Sequence, residues 1–154
     1  MINICLHQPE MPSNTGNIGR SCLLTGSRLH LIRPYAFKLD DKSLKRAGMD
    51  YWKDIDLVIH DSYEEFRIYT EGKRVLYSTT KAHKYYNQVK FEDGDFIVFG
   101  CESSGLPEEV LNSGDGECIK IPMINNTDRS LNLANSANII LFEALRQLDF
   151  PGMD

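Results

Sequence analysis

Phe96-Ile97-Val98-Phe99-Gly100-Cys101-Glu102-Ser103-Ser104-Gly105-Leu106-Pro107 runs from an apolar stretch through a loop bracketed by two glycines to a proline. Four consecutive apolar residues without alternation fit a strand buried on both faces, the kind that fills a parallel sheet. Proline lacks the N–H that a first helical turn leaves unbonded anyway, so Pro107 is expected at the first position of a short helix. Similar runs recur at Ile2 to Leu6, Leu29 to Ile32, Leu57 to Ile59, Val75 to Tyr77 and Cys118 to Ile121, at intervals too wide for hairpins. Helical stretches fall between them: one after a turn at Asn14 to Gly16, one around Asp41 to Ala47, one near Tyr63 to Tyr69. Strand and helix alternate, which predicts an α/β domain with a mostly parallel sheet flanked by helices.

The C-terminal stretch is the most periodic. Leu133, Ala134, Ala137, Ile140, Leu141, Ala144, Leu145 and Leu148 follow helical spacing over four turns, and Pro151-Gly152 stops the pattern. Ile139 and Phe142 point away from that stripe. A helix apolar on two sides is either deeply buried or shared with a second subunit.

Composition sets outer bounds. The 154 residues carry 17 Lys and Arg against 22 Asp and Glu, a net charge of −5, and suit one domain spanning residues 1–154. No apolar run is longer than four residues, as at Ile139 to Phe142, and the N-terminus lacks a basic start and apolar core, so neither membrane insertion nor export is expected. Cys5, Cys22, Cys101 and Cys118 form no CxxC pair; they read as reduced cytoplasmic thiols, and no metal is expected. The charge is unevenly spread. Residues 1–50 hold seven basic and four acidic side chains, a local +3, leaving ten against eighteen in the remainder. Arg20, Arg28, Arg33, Lys38, Lys42, Lys45 and Arg46 make that first third a zone open to a phosphate-rich partner, the plain alternative being ordinary solvated faces.

Three segments concentrate polar and glycine residues beside strands. In Pro12-Ser13-Asn14-Thr15-Gly16-Asn17-Ile18-Gly19-Arg20, Asn14 or Thr15 can cap the helix that follows, whose free N–H groups attract anions, with Arg20 about one turn on. In the Phe96 to Pro107 segment the glycines let a ligand approach the backbone at the carboxyl end of a strand, where open α/β sheets bind ligands. Glu102 is its chemically interesting residue. The third, Ile119 to Ala137, passes from a strand through Ile-Pro-Met and a polar loop into the terminal helix, capped by Ser130 or Asn132. Neither GxGxxG, GxxxxGK[ST] nor GxSxG is present.

In this order and spacing, the blocks N-T-G-N-I-G-R, F-G-C-E-S-S-G-L-P, and I-P-M with R-S-L-N-L-A-N-S-A-N resemble the three motifs of the SpoU branch of the SPOUT (SpoU-TrmD) methyltransferases. The likeness extends over nearly the whole chain. The opening I-N-I-C-L-H-Q-P-E-M-P-S-N-T-G-N, the segment K-R-A-G-M-D-Y-W and the ending E-A-L-R-Q-L-D-F-P-G are similar to the minimal TrmL (YibK-like) group, which methylates the ribose of the tRNA wobble nucleotide. The resemblance implies a C-terminal trefoil knot, S-adenosylmethionine as cofactor, and a homodimer in which Arg20 reaches toward the partner's cofactor. It implies that Ser78, Gly100, Glu102, Ile121, Met123, Ser130 and Leu131 line the cofactor site, and that Asn14, Asn17 and Arg20 face RNA. Two departures stand out: Phe142 replaces a tyrosine common among relatives, and the loop Asn125 to Asp128 is one residue longer than the family pattern.

The implied substrate is cytidine or uridine 34 of tRNA, held through the anticodon stem-loop with Lys42, Lys45 and Arg46 on its phosphates. Methyl transfer to a ribose hydroxyl needs alignment and removal of a proton. An arginine guanidinium stays protonated in proteins, so Arg20 is read as a clamp, oriented by Asn17 or Glu102, with Glu102 in reserve as the base. Alternatives are methylation of another tRNA or rRNA nucleotide, a non-catalytic RNA-binding factor, and a flavodoxin-like phosphate-binding domain.

Overall fold

A computed structural model describes residues 1–113 and 116–154. The elements in chain order are β1 (Asn3–His7), α1 (Pro12–Thr25), β2 (Arg28–Ile32), α2 (Asp41–Arg46), β3 (Leu57–His60), α3 (Tyr63–Tyr69), β4 (Val75–Ser78), β5 (Lys84–Tyr85), β6 (Phe96–Phe99), α4 (Glu108–Leu111), β7 (Glu117–Lys120) and α5 (Leu133–Gln147). The strands form a seven-stranded sheet in the order β3-β2-β1-β6-β4-β7-β5. Every neighbouring pair is parallel. All the carboxyl ends therefore lie along one edge, and the chain reverses its direction of travel across the sheet beside β1.

Alternation within the buried strands sorts the core. Ile4, Leu6, Leu29, Leu31, Leu76, Ile97 and Ile119 turn to the face covered by α1, α5 and the segment from Leu44 to Ile55. Cys5, Ile32, Tyr77, Phe96 and Val98 turn to the other, packing with Phe66 of α3 and Val110 of α4. The stripe of α5 is buried as its spacing requires, at Ala134, Ala137, Ile140, Leu141, Ala144 and Leu145. Ile139 and Phe142 are 36% and 47% exposed.

Three sequence expectations need correction. The first helix starts at Pro12, with Met11 as its cap residue and no side-chain cap, so Asn14 to Gly16 is helix and not a turn. Proline pre-sets the helical φ at that position, and Gly16, which suggested a turn, serves close packing instead. Neither Asn14 nor Thr15 caps it. Pro107 is the cap residue of α4 and not its first helical residue. The two-residue β5 and the 3-10 turns at Trp52–Asp54 and Tyr86–Gln88 are too short to leave a periodic signal.

The four cysteines are free, with Cys5 and Cys22 buried. Burial pushes the Cys22 thiol up to about 12. Among the described residues, no helix is long and apolar enough to cross a membrane.

Candidate active site

The loops after β1, β4, β6 and β7 meet the start of α5 at the carboxyl edge of the sheet and enclose a cavity of about 420 Å³, within the usual range for small-ligand sites. Ser78 ends β4, Gly100 and Glu102 follow β6, Ile121 and Met123 follow β7, and Ser130 and Leu131 precede α5; all seven line this one cavity. Thr79, Thr80 and Lys81 line it too. No motif marks them, although a Thr-Thr-Lys run at the carboxyl end of a buried strand is itself a signal for a ligand site.

The Gly100 to Gly105 loop closes on itself. Cys101 and Gly105 form an antiparallel bridge, with the Gly105 N–H donating to the Cys101 carbonyl at 3.1 Å. A Cβ on Gly100 would sit 2.1 Å from the Gly105 carbonyl carbon, and Gly105 has φ +69°, so both glycines are required by the loop's own backbone. Both glycines also line the cavity, so the closed loop still presents its main chain to a ligand as expected.

Glu102 ties that loop to the entry of α1. Its Oε2 accepts from the Glu10 N–H at 2.7 Å and the Met11 N–H at 3.2 Å. In return Glu10 Oε1 accepts from Ser103 N and Oγ at 3.1 and 2.6 Å. The Cys101 thiol nearby and then the hydrogen bonds from Ser103 hold the Glu10 carboxyl below its ordinary range. The other Glu102 oxygen, Oε1, is buried without a partner among the described residues. A buried carboxylate oxygen in a cavity wall calls for a donor or a positive charge from a ligand.

The start of α5 is fixed from the same side. Asn132 Oδ1 accepts from the Ala134 and Asn135 N–H groups at 2.8 and 3.2 Å, which resolves the cap in favour of Asn132 over Ser130. Asn132 Nδ2 donates to Asn14 Oδ1 at 3.0 Å. Asn14 is only 4% exposed and lines the cavity, where it ties α1 to α5.

Asn17 and Arg20 lie outside the cavity lining, exposed on α1. Among the described residues, Arg20 makes no hydrogen bond to Asn17 or Glu102 of its own chain. Its guanidinium lies over the ring of Tyr51, 5.5 Å from the centroid. Lys42, Lys45 and Arg46 are exposed on α2. Arg28 and Arg33, by contrast, are taken up in ion pairs with Asp56 and Asp61. The basic zone is thus narrower than its composition suggested.

The chain matches the SpoU rRNA Methylase family over residues 1–142. It is 46% identical over 153 residues to the tRNA (cytidine(34)-2'-O)-methyltransferase of Methylovorus glucosotrophus, covering 99% of both chains. It is 43% identical to the enzyme of the same name from Escherichia coli K12, covering 99% of this chain and 97% of that one. A solved structure presented as "Structural insights into the 2-OH methylation of C/U34 on tRNA" superposes with a TM-score of 0.88 at 43% identity, covering 97% of each chain. The SpoU methyltransferase AviRb from Streptomyces viridochromogenes, in complex with AdoMet, shares the fold at a TM-score of 0.82 and 24% identity, covering 96% of this chain and 60% of that one. With the match spanning both the cavity loops and the sheet that carries them, the chain belongs to the SpoU methylase family.

Proposed function

We propose that this chain methylates the ribose 2′-oxygen of nucleotide 34, cytidine or uridine, in tRNA, using S-adenosylmethionine and working as a homodimer in the cytoplasm. The observation that carries the reading is the convergence of Ser78, Gly100, Glu102, Ile121, Met123, Ser130 and Leu131 on one cavity. Near full-length identity of 43–46% to relatives named for this reaction supports the choice of substrate. The C-terminal trefoil knot belongs to the same reading.

The residues present suit the cofactor. The unpartnered Oε1 of Glu102 offers negative charge to a cationic ligand, while Ile121, Met123 and Leu131 supply apolar wall. When bound, S-adenosylmethionine supplies the activated methyl group. The protein's part is alignment, which can account for a large share of the barrier in a displacement of this kind. Glu102 holds the loop after β6 against the entry of α1, and Asn132 with Asn14 fixes the helix that closes the cavity. Arg20 clamps the target phosphate or ribose through the planar fork that a lysine lacks. Lys42, Lys45 and Arg46 contact anticodon-stem phosphates. The exposed apolar side chains Ile139 and Phe142 on α5 and Leu24 on α1, the last 71% exposed, support a face shared with a second copy.

Digestion of tRNA after incubation with protein and labelled cofactor, read by mass spectrometry, tests the reading. Label on the ribose of nucleotide 34 is expected. Label elsewhere in the anticodon loop, or in rRNA only, rejects the substrate while leaving a methyltransferase.

A further inference from the structure

The segment Gly48-Met49-Asp50-Tyr51-Trp52 has no part in the cavity, yet it is pressed against the helix that carries Arg20. A Cβ on Gly16 would fall 2.1 Å from the Met49 sulfur. One on Gly19 would fall 2.7 Å from Ile55 Cδ1 and 2.9 Å from the Trp52 ring. Met49, Trp52 and Ile55 are each less than 10% exposed. Gly16 and Gly19 are three residues apart, hence on one face of α1, and together form a seat for this segment. Seating it brings Tyr51 over the same helix. The Tyr51 hydroxyl donates to the Gly16 carbonyl at 2.9 Å, while its ring lies under the guanidinium of Arg20, four residues further along the helix.

We infer that Tyr51 is a positioning residue for Arg20: its ring holds the guanidinium aimed outward from α1, ready for an RNA phosphate or ribose. The inference rests on the reading of Arg20 as an RNA clamp. An exposed arginine samples many rotamers, and each must be given up when it binds. An aromatic face attracts the cation and prepays part of that loss, leaving the N–H groups at the rim of the guanidinium free to donate. The packing of buried Met49 and Trp52 fixes the backbone that carries the ring, with the hydroxyl bond to Gly16 a secondary tie, so the attraction acts in one direction. It also gives the two glycines of N-T-G-N-I-G-R a physical purpose. They clear the helix surface for the segment that orients the arginine closing the motif.

The test uses the full-length protein with Tyr51→Phe, Tyr51→Leu, Arg20→Ala and the Leu/Ala double variant. Relaxation of the Arg20 Nε in ¹⁵N-arginine-labelled protein reads the seat without any RNA. Order is expected in the wild type and Tyr51→Phe and loss of order in Tyr51→Leu. Affinity for unmodified tRNA reads the consequence. Tyr51→Leu should weaken it by about 2- to 30-fold, the span from an exposed to a desolvated cation–ring contact. Tyr51→Phe should bind nearly as well as wild type, and the Leu substitution should cost nothing further in the Arg20→Ala background. Equal Arg20 mobility in wild type and Tyr51→Leu overturns the inference and leaves the clamp reading intact. An ordered Arg20 whose removal leaves tRNA affinity unchanged overturns the clamp reading, and the positioning role with it. A Phe variant as weak as the Leu variant assigns the effect to the hydroxyl and helix packing, which also overturns the inference.

Discussion

Replacing Asn132 by alanine removes one side chain that makes three hydrogen bonds at the junction of α1, α5 and the cavity. Its Oδ1 caps α5 through the Ala134 and Asn135 N–H groups, and loss of such a cap costs about 1 kcal/mol. Its Nδ2 is the donor to Asn14 Oδ1, and Asn14 is 4% exposed. Leaving a buried acceptor without its donor costs about 1–3 kcal/mol. The sum is about 3 kcal/mol, which for a chain of this size lowers the unfolding midpoint by about 6–12 °C. Asn132→Ser keeps a capping oxygen but is too short to reach Asn14, so it should recover about 1 kcal/mol of the loss. Differential scanning calorimetry of the three proteins at one fixed concentration measures both steps, since association shifts the midpoint with concentration. An alanine variant within about 0.5 kcal/mol of wild type would refute the reasoning, as would a serine variant no more stable than alanine. The first result means that water replaces both contacts, the second that the cap contributes nothing.

Glu102→Gln keeps an acceptor for the Glu10 and Met11 N–H groups, so its unfolding temperature should hold while S-adenosylmethionine affinity by calorimetry falls about tenfold with the lost charge; unchanged affinity with abolished transfer would make Glu102 the base instead. Neutralising Lys42, Lys45 and Arg46 should flatten the salt dependence of tRNA binding by about one unit of log–log slope per lost phosphate contact, and an unchanged slope would remove α2 from the RNA surface. Phe142→Asp, at a position 47% exposed, should convert a particle of twice 17.6 kDa to one of 17.6 kDa in equilibrium sedimentation, whereas an unaltered dimer would place the interface elsewhere. Burial, then the charges of His60, Arg28 and Lys73, push His30 down to about 3 from 6.5, so the folded protein keeps it neutral while the unfolded chain protonates it. That stability is complete above about pH 7 and is lost as pH falls from 6.5 toward 3; urea midpoints between pH 4 and 8 should show a shallower acid loss in His30→Asn, and parallel curves would contradict it.

Where side-chain pattern and backbone chemistry act over a few residues, the sequence was sufficient. The double-faced apolar run at Phe96–Phe99 can only be a central strand, and the stripe from Ala134 to Leu145 can only be a helix lying on the core. That seven distant residues would share one cavity was legible for another reason: the motif resemblance grouped them, and the carboxyl ends of parallel strands must share one edge. Packing partners distant in the chain were not legible. Gly16 and Gly19 look like turn formers until Met49, Trp52 and Ile55, more than thirty residues away, occupy the space that their missing side chains leave. Glycine is a cue for turns and for close contact alike, and only the contact distinguishes them. Nor does spacing along the chain say that Glu102 would turn to Glu10 and Met11, or Arg20 to Tyr51. Local pattern fixes which elements form and which face is apolar. The orientation of a polar side chain at the site depends on which element crosses above it, and only the tertiary fold decides that.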